Sequence, residues 1–185
     1  MTSLSMYERA MGEHFASLPS AVQRFHRLTG HHVLQGRVET QAPKTPLAKL
    51  LAICLGSPRQ AVQGSLRFEL DAKPEVESWT RHFPGRTMSS QLRLVGREMD
   101  GQIEERLGAA RLRFDLQADD GRLSMRLIRL RFLGIPCPTF LIPGIVAEET
   151  GSGEHFNFRV QVRLPLIGLV ADYRGHLQLS EEGAA

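Results

Sequence analysis

From residue 61 almost to the end, apolar and polar side chains alternate through one short segment after another. Val62, Gly64, Leu66, Phe68 and Leu70 are interleaved with Gln63, Ser65, Arg67 and Glu69, the period of a strand with one buried face. Segments of this kind fall at 31–40, 61–70, 77–83, 87–95, 102–107, 111–117, 123–132, 145–150, 156–164 and 169–179. Most are separated by turns of a few residues, Pro84-Gly85, Asp100-Gly101, Asp119-Asp120-Gly121 and Gly151-Ser152-Gly153 among them, so neighbours pair antiparallel. About nine or ten consecutive strands must curl or close, because an open sheet of that length leaves unpaired edges. The expected fold is α+β and mostly antiparallel: a strongly curved sheet or barrel with N-terminal helices packed on it.

The helices belong to the first 56 residues. Ser5-Met6-Tyr7-Glu8 is a capping box, and Tyr7, Met11, His14, Phe15 and Leu18 follow at helical spacing until Pro19. A shorter helix starts at Ser20, with Val22, Phe25, His26 and Leu28 toward the core and Gly30 as its stop. Thr45-Pro46 opens a third and Gly56 closes it, with Leu47, Leu50, Leu51, Cys54 and Leu55 as its apolar face. The first two are expected to cover one opening or face of the sheet. A chain of 185 residues suits one domain, over 1–180, with a loose tail at 181–185.

At 42% hydrophobic and 23% charged, the chain is neither disordered nor membrane-spanning in composition. Of its 23 basic residues only Lys44, Lys49 and Lys73 are lysines, and the arginines are dispersed. That spread argues against nucleic acid as a partner, which would call for a basic stripe with aromatics between. The N-terminus lacks the basic flank and apolar core of a signal peptide, and the longest charge-free run, 132–147, is too short to span a bilayer and holds three prolines. A cytoplasmic location and no transmembrane segment are expected.

No phosphate-binding glycine loop, dinucleotide fingerprint or nucleophile elbow is present. The seven histidines and two cysteines show no metal-ligand spacing, so no cofactor and no metal are expected. What remains is the parity of single polar residues. In Trp79-Thr80-Arg81-His82-Phe83, a strand places Trp79, Arg81 and Phe83 on one face. An unpaired buried guanidinium costs on the order of 3–5 kcal/mol. Arg81 therefore meets an interior carboxylate or a ligand anion, or else stacks on Trp79 and reaches water along the ring.

The same parity turns Arg86 inward with Met88, Glu105 with Ile103 and Leu107, and Tyr173 with Leu177. Arg126 goes with Ile128, Leu130 and Phe132, although the adjacent Leu127 and Ile128 blur the assignment as a bulge would, and either Glu148 or Glu149 points in. Read functionally, Arg81, Arg86, Glu105, Arg126, Glu148 and Tyr173 line an apolar pocket for a small apolar or acidic ligand. An interior Glu there could do cofactor-free acid–base chemistry. Read structurally, they form an ion-pair network or rim residues in water. The segment 132–143, apolar and punctuated by Pro136, Pro138 and Pro143, fits neither helix nor central strand. It is a lid, a docking patch or a plug of one barrel end.

The W-T-R-H-F-P-G-R run, F-L-G-I-P-C-P, R-L-P-L-I-G and Y-R-G-H-L together resemble a bacterial family of uncharacterised domains. The resemblance runs from Met6-Tyr7-Glu8-Arg9 to about Leu179. Such domains occur alone or fused behind a saccharopine-dehydrogenase-like reductase domain. The resemblance implies a self-contained domain and, as partner, a separate reductase. The alternative to a ligand pocket is accordingly an interaction module for a reductase or biosynthetic enzyme, docking through loop 132–143.

Overall fold

The computed structural model describes residues 4–138, 140 and 142–179; the tail expected at 181–185 lies outside the described residues. All ten segments of alternation are strands: β1 (Gly30–Thr40), β2 (Val62–Ala72), β3 (Val76–Phe83), β4 (Arg86–Leu94), β5 (Gln102–Leu107), β6 (Ala110–Asp119), β7 (Arg122–Phe132), β9 (Gly144–Ser152), β10 (His155–Leu164) and β11 (Gly168–Gln178). A two-residue strand, β8 (Ile135–Pro136), is added to the edge of β7. Every pairing is antiparallel. β1 closes onto β11, and β7 bonds to both β6 and β9, so ten strands form a closed barrel. Closure removes the edges that an open sheet would expose.

Two seams in the wall bear on its closure. At the β1–β11 seam, a Cβ on Gly36 would meet the His176 carbonyl, and one on Gly175 the Arg37 carbonyl. Only glycine lets the two backbones approach this closely. Between β7 and β9 the ladder is just two residues long, Leu123 opposite Glu149 and Ser124 opposite Glu148. Toward the end of β7, Ile135, Pro136 and the Cys137 amide pair with it instead.

The helices α1 (Met6–Met11) and α2 (Ser20–His26) pack over one end of the barrel. Ser5 accepts from the Glu8 amide and Glu8 returns the bond, the reciprocal cap read from sequence. The single helix expected through Leu18 is instead broken at Gly12. Its backbone turns to φ 55° there, and a 3₁₀ segment, Gly12–Ser17, follows. Phe15 and Leu18 still reach the core, whereas His14, expected inside, faces solvent. From α2, Phe25 enters the barrel mouth and stacks on Phe156, centroids 4.0 Å apart, edge-on to Phe68 and Trp79. Such pairs add about 0.5–1.5 kcal/mol each beyond the area they bury. They plug this end.

Helix α3 (Pro46–Leu55) lies across the opposite end, in the long β1–β2 connection. Thr45 caps it, Pro46 opens it and Gly56 closes it in the left-handed conformation, as its sequence signals require. Its buried face is different from the one expected. Ala48 and Ala52 carry the contact with Val170, while Leu47, Leu50 and Ile53 stay about half exposed. The small residues win because the helix lies close on β11, and nothing among the described residues covers the leucines.

Candidate functional site

Ten strands make a barrel wider than its side chains fill. The interior holds a cavity of about 360 Å³, within the roughly 300–1,000 Å³ usual for small-molecule sites. Its walls are apolar, from Leu66 and Phe68 on β2 round to Phe158 on β10. One end is closed by the Phe25 cluster. The other reaches the surface between α3, through Leu47, Leu51 and Leu55, and the β7–β9 connection, through Cys137 and Pro143.

Polar groups are gathered on the wall nearer the plugged end. The period of β3 buries Glu77, Trp79, Arg81 and Phe83 in turn. Arg81 lies over the Trp79 ring at 5.0 Å and the Phe68 ring at 5.8 Å, and its Nη1 donates to Ser90 Oγ at 3.1 Å. Glu105 approaches Nη2 at 3.8 Å, an ion pair too long to be a hydrogen bond. The carboxylate and the aromatic stack expected as alternatives for Arg81 thus occur together. Among the described residues Ser90 is the one hydrogen-bond partner of a group with five N–H donors.

Behind this wall is a second layer. Glu149 lines the cavity and its Oε2 is 2.6 Å from Nε2 of the fully buried His26. His26 stacks on Tyr7, centroids 3.6 Å apart. The Trp79 indole N–H donates to Glu77 Oε2 at 2.8 Å. Burial raises the Glu77 carboxyl to about 7, with His26 and the Trp79 N–H pulling it down and Glu149 adding to the rise. Burial likewise raises Tyr173 to about 12, opposed by Arg81 and assisted by Glu105 and Glu149. Tyr7 is pushed well above its usual value by burial and then by Glu149. The Tyr7 hydroxyl and His26 Nδ1 have no hydrogen-bond partner among the described residues. Each such group costs on the order of 1–3 kcal/mol, so the fold gives up stability at this layer.

Four of the six residues singled out by parity line the cavity: Arg81, Glu105, Glu148 and Tyr173. Glu148 does so from the seam between β7 and β9, its carboxylate 3.1 Å from Arg122. Arg86 and Arg126 are elsewhere. Arg86 stands at the start of β4, and its Nε donates to the Gly56 carbonyl at 3.0 Å, tying the end of α3 to the barrel. Arg126 is outside, its side chain 66% exposed and paired with Asp115 at 3.0 Å. The cause is a bulge. Arg113 opposes Arg129 but Phe114 opposes Leu127, so Ile128 is the extra residue and reverses the parity before it.

Glu77, Glu149, His26 and Tyr7 complete the polar layer. Glu77 shares parity with Trp79 and was legible on that ground. The pairing of His26 with Glu149, 123 positions apart, has no local signal. Among the described residues no group of three or more His, Cys, Asp or Glu could hold a metal ion, and no helix is long and apolar enough to cross a membrane.

No curated protein matches the chain. Among solved structures it is similar to the crystal structure of Rv2717c from M. tuberculosis, at 14% identity and a TM-score of 0.42, over 89% of this chain and 99% of that one. A family model described as "Domain of unknown function (DUF4166)" matches residues 18–177, which takes in every strand but the last residue of β11. The chain belongs to that family.

Proposed function

We propose that the protein binds a small molecule in the barrel, with an apolar body against the cavity walls and one carbonyl or acidic oxygen at Arg81. The observation that carries this reading is the state of Arg81: buried among aromatics, long in its ion pair, and left with N–H donors at a cavity wall. A purely structural arginine would be expected to satisfy its fork on a carboxylate. The cavity points the same way. An apolar space of this size, open at one end, is the usual form of a small-molecule site. Cofactor-free proton transfer is available to such a ligand at Glu149, whose carboxylate faces the cavity and is backed by His26.

The test is native mass spectrometry of protein from its own host, followed by denaturing extraction. A small molecule is expected to co-purify with the wild type and to be lost in Ala147→Phe, which fills the cavity from β9. Arg81→Met should weaken its retention with the circular dichroism spectrum unchanged. A ligand-free wild type that also fails to take up 8-anilinonaphthalene-1-sulfonate stoichiometrically would refute the reading, as would uptake unaffected by Ala147→Phe.

A further inference from the structure

The two ends of the barrel differ in charge. At the end carrying α3, the connections 41–61, 84–85, 108–109, 133–143 and 165–167 contain Lys44, Lys49 and Arg59 and no acidic residue. At the plugged end the strand connections carry Glu75, Glu98, Asp100, Asp120 and Glu154 against Lys73 and Arg97. Of the charges on the strands near this end, Glu39 is paired with Arg174, and three arginines stand together. Arg106 on β5 sits directly opposite Arg111 on β6, and Arg111 opposite Arg131 on β7. All three are exposed, and among the described residues none has an ion-pair partner. Like charges placed directly opposite destabilise a sheet, so this row costs the fold something and serves no packing purpose.

The same end also bears large exposed apolar side chains. Leu47 and Leu50 stand out from α3, Leu133, Ile135 and Phe140 from the β7–β9 connection, and Leu166 from the β10–β11 turn. Leu133 is 73% exposed and Phe140 76%. They stand at the end where the cavity reaches the surface, and Leu47 is also part of its lining.

Protruding aliphatic groups beside basic side chains match the two terms that hold a protein at a lipid surface: apolar insertion at the headgroup level and attraction to anionic lipid. Nucleic acid would be met by stacking aromatics, and Phe140 is the one aromatic among the exposed large apolar residues described. We infer that this end of the barrel docks on an anionic lipid bilayer, with the cavity opening facing the membrane. The docking stands on the charge and the exposed groups alone and does not require the cavity to hold a ligand.

The experiment is co-sedimentation of the full chain with vesicles of phosphatidylcholine and phosphatidylglycerol in equal parts, and with phosphatidylcholine alone. Binding is expected to the first only, and to weaken as salt is raised. Each arginine near such a surface is worth about fivefold, so R106Q/R111Q/R131Q should lose on the order of a hundredfold. Leu133→Ser with Phe140→Ser should also weaken binding, whereas K73Q/R97Q at the far end should not. Ala147→Phe should leave it intact, which separates failure of docking from failure of the ligand reading. Absence of binding, equal binding to neutral vesicles, or a triple variant as tight as wild type overturns the inference. Tighter retention on a single-stranded oligonucleotide than on the vesicles overturns the choice of lipid.

Discussion

Replacing Glu77 by glutamine isolates the energetic effect of the buried layer. The Glu77 carboxyl ordinarily titrates near 4.5 and is raised to about 7 in the fold. An acid whose folded value is raised binds its proton more tightly when folded, so above about 4.5 the unfolded chain binds fewer protons than the folded one. Stability then falls as pH rises from about 4.5 to about 7, and levels off beyond. Each tenfold difference in proton affinity between the two states is about 1.4 kcal/mol, so the full loss is about 3 kcal/mol, of which roughly 2–3 falls between pH of about 5 and about 8. Glutamine copies the protonated carboxyl in shape. It keeps an oxygen to accept the Trp79 indole N–H and carries no proton to lose. The assay is urea unfolding of both proteins at those two pH values. E77Q should gain about 2–3 kcal/mol on wild type between the lower and the higher pH. A difference between the two proteins that stays constant with pH would show that Glu77 is ionised throughout, and would refute the burial argument.

Gly36→Ala should be among the most destabilising single changes. The new Cβ would meet the His176 carbonyl at the β1–β11 seam, and the strain should cost on the order of 3 kcal/mol, measured as a lowered urea midpoint. A midpoint within error of wild type would mean that the two backbones at the seam can move apart freely. Arg86→Ala removes the bond to the Gly56 carbonyl and should cost about 1 kcal/mol. Amide exchange should then rise across 46–56 and not in the strands; a uniform rise would refute a local clamp.

How far the sequence showed this molecule depended on how local each signal is. Every long strand was marked by its own alternation, and their number required the sheet to curl or close without deciding between the two; closure is settled by the β1–β11 and β7–β9 pairings. Parity within one strand turned Arg81, Glu105 and Tyr173 toward the interior, where they lie. It failed at Arg126 because the bulged Ile128 shifts β7 by one position, and a bulge is decided by pairing with β6 as much as by the residues themselves. Arg86 obeyed parity in direction, yet at the end of a strand its side chain met a helix terminus instead of the interior. The Glu149–His26 pair was illegible for a different reason. It joins β9 to a helix at the other end of the chain, and no spacing records a contact made by closure.

The departure at α3 carries more meaning than the others. A sequence with Leu47, Leu50, Leu51, Ile53 and Leu55 in ten residues reads as a helix with a broad buried face, and its caps place its ends where they are found. Burial instead selected Ala48 and Ala52, since only small side chains allow the helix to lie down on β11 beside Val170. The leucines are therefore not surplus core residues. Leu51 and Leu55 finish the cavity wall, while Leu47 reaches both the cavity and the surface. Leucines left in water on one side of a helix forgo the burial that would stabilise them, and such a patch marks a contact surface. Here the exposed side is the rim of the opening, beside a row of arginines that repel one another. Both costs fall at the same end of the barrel, and one anionic, apolar surface would relieve both.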